Sequence, residues 1–76
     1  MIEVMEIVEI NRDFITLGQL LKLENMIESG GMVKAFLADY EVLVNGEQDQ
    51  RRGRKLYSGD RVQIKEVGTF EIKSGP

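Results

Sequence analysis

The chain has 76 residues, a net charge of −3, and neither cysteine nor histidine. This length fits one small domain with a modest core, and the two missing residue types exclude disulfides, thiolate chemistry and the commonest general base and metal ligand. No apolar run is long enough to cross a bilayer, and the first residues lack the basic region of a signal peptide. We therefore expect a cytoplasmic protein with no cofactor, no metal and no membrane partner.

Positive charge is concentrated in one part of the sequence. Only Asp60 is acidic between positions 51 and 65, whereas the first thirteen residues carry four acidic side chains against one basic. Because charges are screened over about 8 Å at physiological salt, a basic face can act independently of distant acids. Six of the ten basic residues lie in that span: Arg51, Arg52, Arg54, Lys55, Arg61 and Lys65.

The first half of the chain predicts one strand followed by two short helices. Residues 2–10 are rich in Ile and Val, but their acids recur every third position, which indicates an edge or bulged strand. Thr16 and Gln19 form a capping-box pattern that starts a helix ending near residue 24 or 25. Ser29, Gly30 and Gly31 predict a turn and an N-cap before a second helix over about residues 31–39.

That second helix has one apolar face and one basic residue away from it. Val33, Phe36, Leu37 and Tyr40 follow helical spacing, so we expect them to be buried, whereas Lys34 points to solvent or to a partner. Phe70 is also expected in the core.

The second half predicts a series of short strands. Asn45-Gly46 after residues 41–44 is typical of a two-residue turn with both residues at positive φ. Its second arm, residues 47–50, is polar and expected to be poorly buried. A turn at 58–60, an alternating strand at 61–65 and a last strand at 70–72 follow. The expected fold is α+β, with two consecutive short helices packed on a small twisted, mainly antiparallel sheet.

Three motifs in this order resemble a known family. They are Ser-Gly-Gly-Met-x-Lys at residues 29–34, Asn-Gly-Glu at 45–47 and Arg-Arg-Gly-Arg-Lys-Leu at 51–56. Together they resemble the S4 RNA-binding domain, also called the alpha-L RNA-binding motif, and especially its small stand-alone bacterial members of YaaA type. The resemblance covers residues 15–64, with strands 2–10 and 70–72 as flanking additions. It implies a single domain over residues 1–73. Residues 74–76 are expected to form a frayed tail, because chain ends are often poorly ordered.

The resemblance implies RNA binding without catalysis. The expected partner is structured RNA, ribosomal or transfer, with no preference for DNA, and with the ribosome or a protein as a further partner of a monomeric chain. Many members carry an arginine after the first-turn serine, where this chain has Gly30, and Lys34 is the expected substitute. The predicted RNA-binding residues are Ser29, Gly30, Gly31, Lys34, Asn45, Gly46, Arg51, Arg52, Arg54 and Lys55.

Simpler explanations exist for each of these features. The basic run could be a solvated face, Asn45-Gly46 serves its turn whatever the function, and Gly30-Gly31 lacks the Lys-Ser/Thr of a phosphate-binding loop. Tyr57 is flanked by basic residues, so stacking on a base is a further option. The alternative function is a small protein-interaction adaptor that uses the acidic N-terminal strand. An enzyme is disfavoured because no acid and base pair is evident.

Overall fold

The computed structural model describes residues 4–75 of the chain. This part forms an α+β domain, as predicted, and none of its helices is long and apolar enough to span a membrane. A 3₁₀ turn, Gly30–Met32, precedes the second helix. The elements are β1 (Val4–Ile10), β2 (Phe14–Thr16), α1 (Leu17–Leu23), α2 (Val33–Asp39), β3 (Val42–Val44), β4 (Glu47–Gln48), β5 (Lys55–Tyr57), β6 (Arg61–Ile64) and β7 (Gly68–Ser74).

The main sheet has five strands in the order β1-β7-β6-β3-β4. The β1–β7 pair is parallel and the other pairs are antiparallel. β1 is therefore an edge strand, as predicted, but it shows no bulge because residues 4–10 pair with β7 without interruption. Residues 2 and 3 of the predicted strand lie outside the described residues.

The last strand is longer than the sequence suggested. β7 runs from Gly68 to Ser74 rather than over residues 70–72. The Ser74 hydroxyl donates to the Arg12 carbonyl at 3.1 Å, and the Gly75 N–H donates to the Ile10 carbonyl at 2.8 Å. The first partner lies in the loop after β1 and the second is the last residue of β1. Ser74 and Gly75 are therefore hydrogen-bonded where a frayed tail was expected. Pro76 lies outside the described residues.

A second, two-stranded sheet was not predicted. β2 and β5 pair antiparallel, with Phe14 opposite Tyr57 and Ile15 opposite Leu56. Ile15 and Leu56 are buried and join this ribbon to the core. Strands of three residues are too short to show a clear alternation of polar and apolar side chains. Lys55, at the start of β5, also belongs to a cluster of charged residues that gives no sign of a strand.

The core lies between the inner face of the main sheet and the two helices. The capping box of α1 is confirmed: the Gln19 N–H donates to Thr16 Oγ1 at 3.2 Å, and the Thr16 N–H donates to Gln19 Oε1 at 2.8 Å. Glu24 caps the other end of this helix, within the predicted limits. The fully buried core side chains include Leu17, Leu20, Leu21, Val42, Val44, Leu56, Val62, Ile64 and Ile72.

The second helix differs from its prediction in two respects. It begins at Val33 rather than near Gly31, because Gly30–Met32 form the 3₁₀ turn, and the Ser29 side chain makes no capping hydrogen bond. Tyr40 is 38% exposed, so its predicted place in the core is wrong. Tyr40 lies just beyond α2, which ends at Asp39. Its ring stacks on half-buried Phe36, with ring centroids 4.5 Å apart. Phe70 is buried, as predicted.

Candidate nucleic-acid interface

The Asn45-Gly46 turn joins β3 to β4 and has the predicted backbone, with φ of +53° and +85°. The exposed Asn45 side chain makes two hydrogen bonds within the protein. Its Nδ2 donates to Asp60 Oδ1 at 3.0 Å, and its Oδ1 accepts the Arg61 N–H at 2.9 Å. The amide therefore ties the hairpin to the turn before β6, which is a role in the fold.

Asp49 follows β4 and is 7% exposed, although the second arm of the hairpin was expected to be poorly buried. Arg51 pairs with it through two bonds, Nε to Oδ1 at 3.0 Å and Nη2 to Oδ2 at 2.8 Å. Nη1 of Arg54 donates to the same Oδ2 at 2.9 Å. Each carboxylate oxygen is thus held by charged donors, which compensates for the burial of the acid.

This network shifts the pKa of both partners. Hydrogen bonds from Arg51 hold the pKa of the Asp49 carboxyl well below its usual range, although burial acts in the opposite direction. The same contact raises the pKa of Arg51. Asp49 is therefore a carboxylate at every physiological pH, and it neutralises one of the four positive charges that follow it.

The four charges lie in residues 51–55, which we name the basic segment. Two of its carbonyls accept hydrogen bonds from the first turn of α1: the Leu17 N–H donates to the Arg54 carbonyl at 2.8 Å, and the Gly18 N–H donates to the Arg52 carbonyl at 2.9 Å. These N–H groups have no partner within the helix. The basic segment is thus attached to the start of α1 through its backbone and not through its charged side chains.

Gly18 makes this close approach possible. A Cβ at this position would lie 3.3 Å from the Arg52 carbonyl oxygen and 3.5 Å from Val33 Cγ2. On the other side of the segment, Gln50 Nε2 donates to the Leu37 carbonyl at the end of α2, at 3.1 Å. The basic segment is therefore bonded to α1 directly, and the residue that precedes it is bonded to α2.

A first groove runs between the basic segment and the two helices. Lys22, Gly30, Arg52 and Gly53 line it together with Thr16, Gly18, Gln19 and Val33. Two of the predicted residues, Gly30 and Arg52, are thus brought together with Lys22. A Cβ on Gly30 or Gly53 would meet no atom within 4 Å, so their backbone is open to an approaching ligand.

A second groove lies on the other side of the segment and shares Gly53 with the first. Its lining is mainly basic but includes one aromatic ring, and it consists of Arg51, Gly53, Arg54, Lys55, Tyr57 and Asp60. The side chains of Arg51 and Arg54 are 72% and 31% exposed despite their bonds to Asp49. Within residues 4–75, Arg52 and Lys55 form no salt bridge.

Other predicted site residues lie apart from these grooves. Asn45 and Gly46 line a separate depression with Arg61, whose guanidinium pairs with Glu71 at 3.3 Å. Lys34 is exposed in the first turn of α2, and Ser29 and Gly31 are exposed at the 3₁₀ turn. In the described part of the chain, no three acidic residues gather into a group that could hold a metal ion.

Three residues that shape the interface were missed in the sequence. Asp49 and Gln50 were both treated as part of a polar, poorly buried arm, and Gly18 was not considered. The spacing of Asp49 from Arg51 and Arg54 was the available signal for the ion network, since these residues are two and five positions apart. Nothing in the local pattern identifies Gly18, because its contact is with a carbonyl 34 positions away.

Comparisons with known proteins identify a family and a relative that this chain resembles. Residues 8–73 match the family model described as S4 domain. Over 65 residues the chain is 57% identical to a protein of Bacillus subtilis (strain 168) named "Probable ribosome maturation protein RlbA". That alignment covers 86% of this chain and 92% of the relative. The family match includes both helices, the hairpin and the basic segment.

Proposed function

The chain belongs to the S4 domain family, and we propose that it is a non-catalytic protein that binds structured RNA through the basic segment and its two grooves. Proteins of this family generally bind RNA. The protein would act as a cytoplasmic monomer without a preference for DNA.

The observation that carries the proposal is the way the basic segment is held. Its backbone is bonded to α1, and Asp49 fixes two of its arginines from within. Four positive charges less one neutralised by Asp49 leave a local charge of +3 on a pre-formed surface. A surface whose side chains are already positioned loses less conformational freedom on binding.

The arginines bonded to Asp49 can still contact RNA. A guanidinium has five N–H donors. Arg51 uses two of them on Asp49 and Arg54 uses one, so three and four donors remain for phosphate oxygens. Arginine suits this purpose because its planar fork can bind two phosphate oxygens and can stack on a base.

Cations that form no salt bridge within residues 4–75 extend the surface on both sides. Lys22 and Arg52 line the first groove, and Lys55 lines the second. Lys34 would extend the surface along α2, and the open backbone at Gly30 and Gly53 leaves room for a close approach. Structured RNA is recognised mainly through its shape and backbone, which requires well-placed charge more than base-reading side chains.

The Bacillus relative is named for ribosome maturation. We therefore take ribosomal RNA, in a ribosomal subunit during assembly, as the target of this chain, and transfer RNA as the competing RNA target. The two are distinguished by measuring binding of the purified protein to each RNA separately.

The test compares two double charge reversals. Arg52→Glu/Lys55→Glu changes exposed side chains that form no salt bridge within residues 4–75, and Lys65→Glu/Lys73→Glu makes the same change of charge at exposed lysines elsewhere. We expect the first pair to lose about 10-fold or more in affinity for ribosomal RNA in filter retention, and the second pair less than about threefold. Equal losses in both pairs, or no binding by the wild type at low salt, would refute the proposal.

An adaptor is the second candidate function, and one observation favours it. Met5 and Ile7 are 64% and 59% exposed on β1, which is an edge strand. Exposed apolar residues on an unpaired edge can receive a strand from another protein. If this is the function, Met5→Thr/Ile7→Thr should lose a protein partner that the wild type captures from RNase-treated lysate. The same capture by both proteins would exclude it.

A further inference from the structure

The outer face of the β2–β5 ribbon carries two aromatic rings. Phe14 and Tyr57 are direct cross-strand partners, with ring centroids 5.6 Å apart and planes inclined by 44°. The opposite face of the ribbon, with Ile15 and Leu56, is buried. Phe14 is partly covered by Tyr57 and by Lys55, whose Nζ lies 5.0 Å from the Phe14 ring centroid. Tyr57 itself remains 48% exposed.

The backbone beneath Tyr57 is well fixed. Its N–H donates to Asp60 Oδ2 at 2.7 Å, and its carbonyl accepts the Asp60 N–H at 2.9 Å. The other carboxylate oxygen of Asp60 accepts a bond from Asn45. The turn after β5 thus fixes the backbone from which the ring projects, and the Phe14 ring packs beside it. A site whose parts are positioned in advance loses less conformational freedom on binding.

The position of Tyr57 distinguishes it from the other exposed tyrosine. Tyr40 stacks on Phe36 at the end of α2 and lines none of the grooves of the basic segment. Tyr57 lines the second groove beside Arg51, Arg54 and Lys55. An exposed aromatic ring among arginines and lysines is the arrangement that binds single-stranded nucleic acid, because the ring stacks on a base while the cations contact the flanking phosphates.

We propose that the second groove binds an unpaired nucleobase stacked on Tyr57, with phosphates on either side held by Arg51, Arg54 and Lys55. This inference rests on the proposed function and narrows its substrate to structured RNA that has an unpaired nucleotide, a bulge or a loop, next to a helix. Fully paired RNA would reach the basic side chains only through its backbone and would leave Tyr57 unused.

The first test uses two RNA probes, a blunt 20-base-pair duplex and the same duplex with one central bulged uridine. The wild type should bind the bulged probe about 5- to 10-fold more tightly. Tyr57→Ile, which keeps a strand-forming residue, should reduce that preference to less than about twofold, and Tyr57→Phe should retain it. Tyr40→Ile is the matched control and should not change it.

A second readout reports the contact directly. The chain has two tyrosines and no tryptophan, so in a Tyr40→Phe background the tyrosine fluorescence comes from Tyr57 alone. The bulged probe should quench this emission more strongly than the duplex at equal saturation. Equal affinity of the wild type for both probes with equal quenching would overturn the inference and leave RNA binding intact. No binding of either probe at low salt would overturn the proposed function, and this inference with it.

Discussion

Asp49 and Arg51 form a two-bond ion pair inside the turn that leads into the basic segment, with N–O distances of 3.0 and 2.8 Å. The same carboxylate also accepts the backbone N–H of Arg51 at 2.9 Å. A buried acid therefore lies at the centre of the most basic part of the chain. Asp49 positions the arginines, and its negative charge neutralises one unit of the positive charge of the segment.

Replacing this acid tests its structural role. Asp49→Asn keeps the size of the side chain but removes the charge that Arg51 and Arg54 bind. We expect a loss of about 1–3 kcal/mol in the free energy of unfolding, because bonds to a charged, buried group are replaced by weaker ones. Urea unfolding measures it. An unchanged midpoint would show that the network adds nothing to stability.

The lowered pKa of Asp49 predicts that the protein loses stability at acidic pH. Because its folded pKa lies below the unfolded value of 3.8, its contribution is complete above about pH 4 and is lost as the pH falls below that value. The wild type should therefore lose more stability than Asp49→Asn between pH 5 and pH 2. Parallel curves for the two proteins would contradict this assignment.

Glu24 predicts a second pH dependence, of opposite sign. Burial, followed by the neighbouring Glu6 carboxyl, raises the pKa of Glu24 from 4.5 to about 7. The folded state binds this proton more tightly, so the contribution of Glu24 to stability is complete below about pH 4.5 and is lost as the pH rises through 7.

Glu24→Gln should therefore be more stable than the wild type at pH 8 and equal to it near pH 4. The difference should stay below about 1 kcal/mol because the side chain is partly exposed. Thermal unfolding at both pH values measures it, and Glu28→Gln serves as the exposed control. A Glu24→Gln variant that is less stable at pH 8 would refute the prediction.

Gly18 allows a test of the contact between α1 and the basic segment. Glycine-to-alanine in a helix usually stabilises by about 1 kcal/mol, but here the new methyl group would press on the Arg52 carbonyl at 3.3 Å. We expect Gly18→Ala to give no gain in stability and to weaken RNA binding several-fold by displacing Arg52. A variant that is more stable and binds normally would show that the approach is not tight.

Replacing Asn45 distinguishes a role in the fold from a role in RNA binding. Asn45→Gly keeps a residue suited to positive φ but loses the bonds to Asp60 and Arg61, which should cost about 1–2 kcal/mol. Affinity for RNA under fully folding conditions should change by less than about twofold, because the amide is already engaged. A larger loss of affinity would restore Asn45 to the RNA-binding surface.

The parts of the fold that depend on local chemistry were predictable from the sequence. The Thr16 capping box, the Asn45-Gly46 turn and the alternation of Val62 and Ile64 are short-range patterns, and all three are present. The resemblance to the S4 family predicted the correct order of these elements along the chain. The α+β class followed from these pieces together.

The missed features depend on contacts between distant parts of the chain. β2 and β5 are defined by pairing across about forty residues, and the extension of β7 depends on parallel pairing with β1. The attachment of the basic segment to α1 likewise joins Gly18 to Arg52. Asp49 was missed for a different reason: its neighbours are near in sequence, but its burial comes from the tertiary fold.

The most direct test of the central claim is the salt dependence of binding to ribosomal RNA. With about four phosphate contacts, the logarithm of affinity should fall with the logarithm of salt concentration with a slope of roughly −3. For Arg52→Gln/Lys55→Gln the account predicts a slope shallower by about 2, because each lost phosphate contact removes about one unit. If the double variant keeps both the slope and the affinity of the wild type, the claim that the basic segment binds RNA is contradicted.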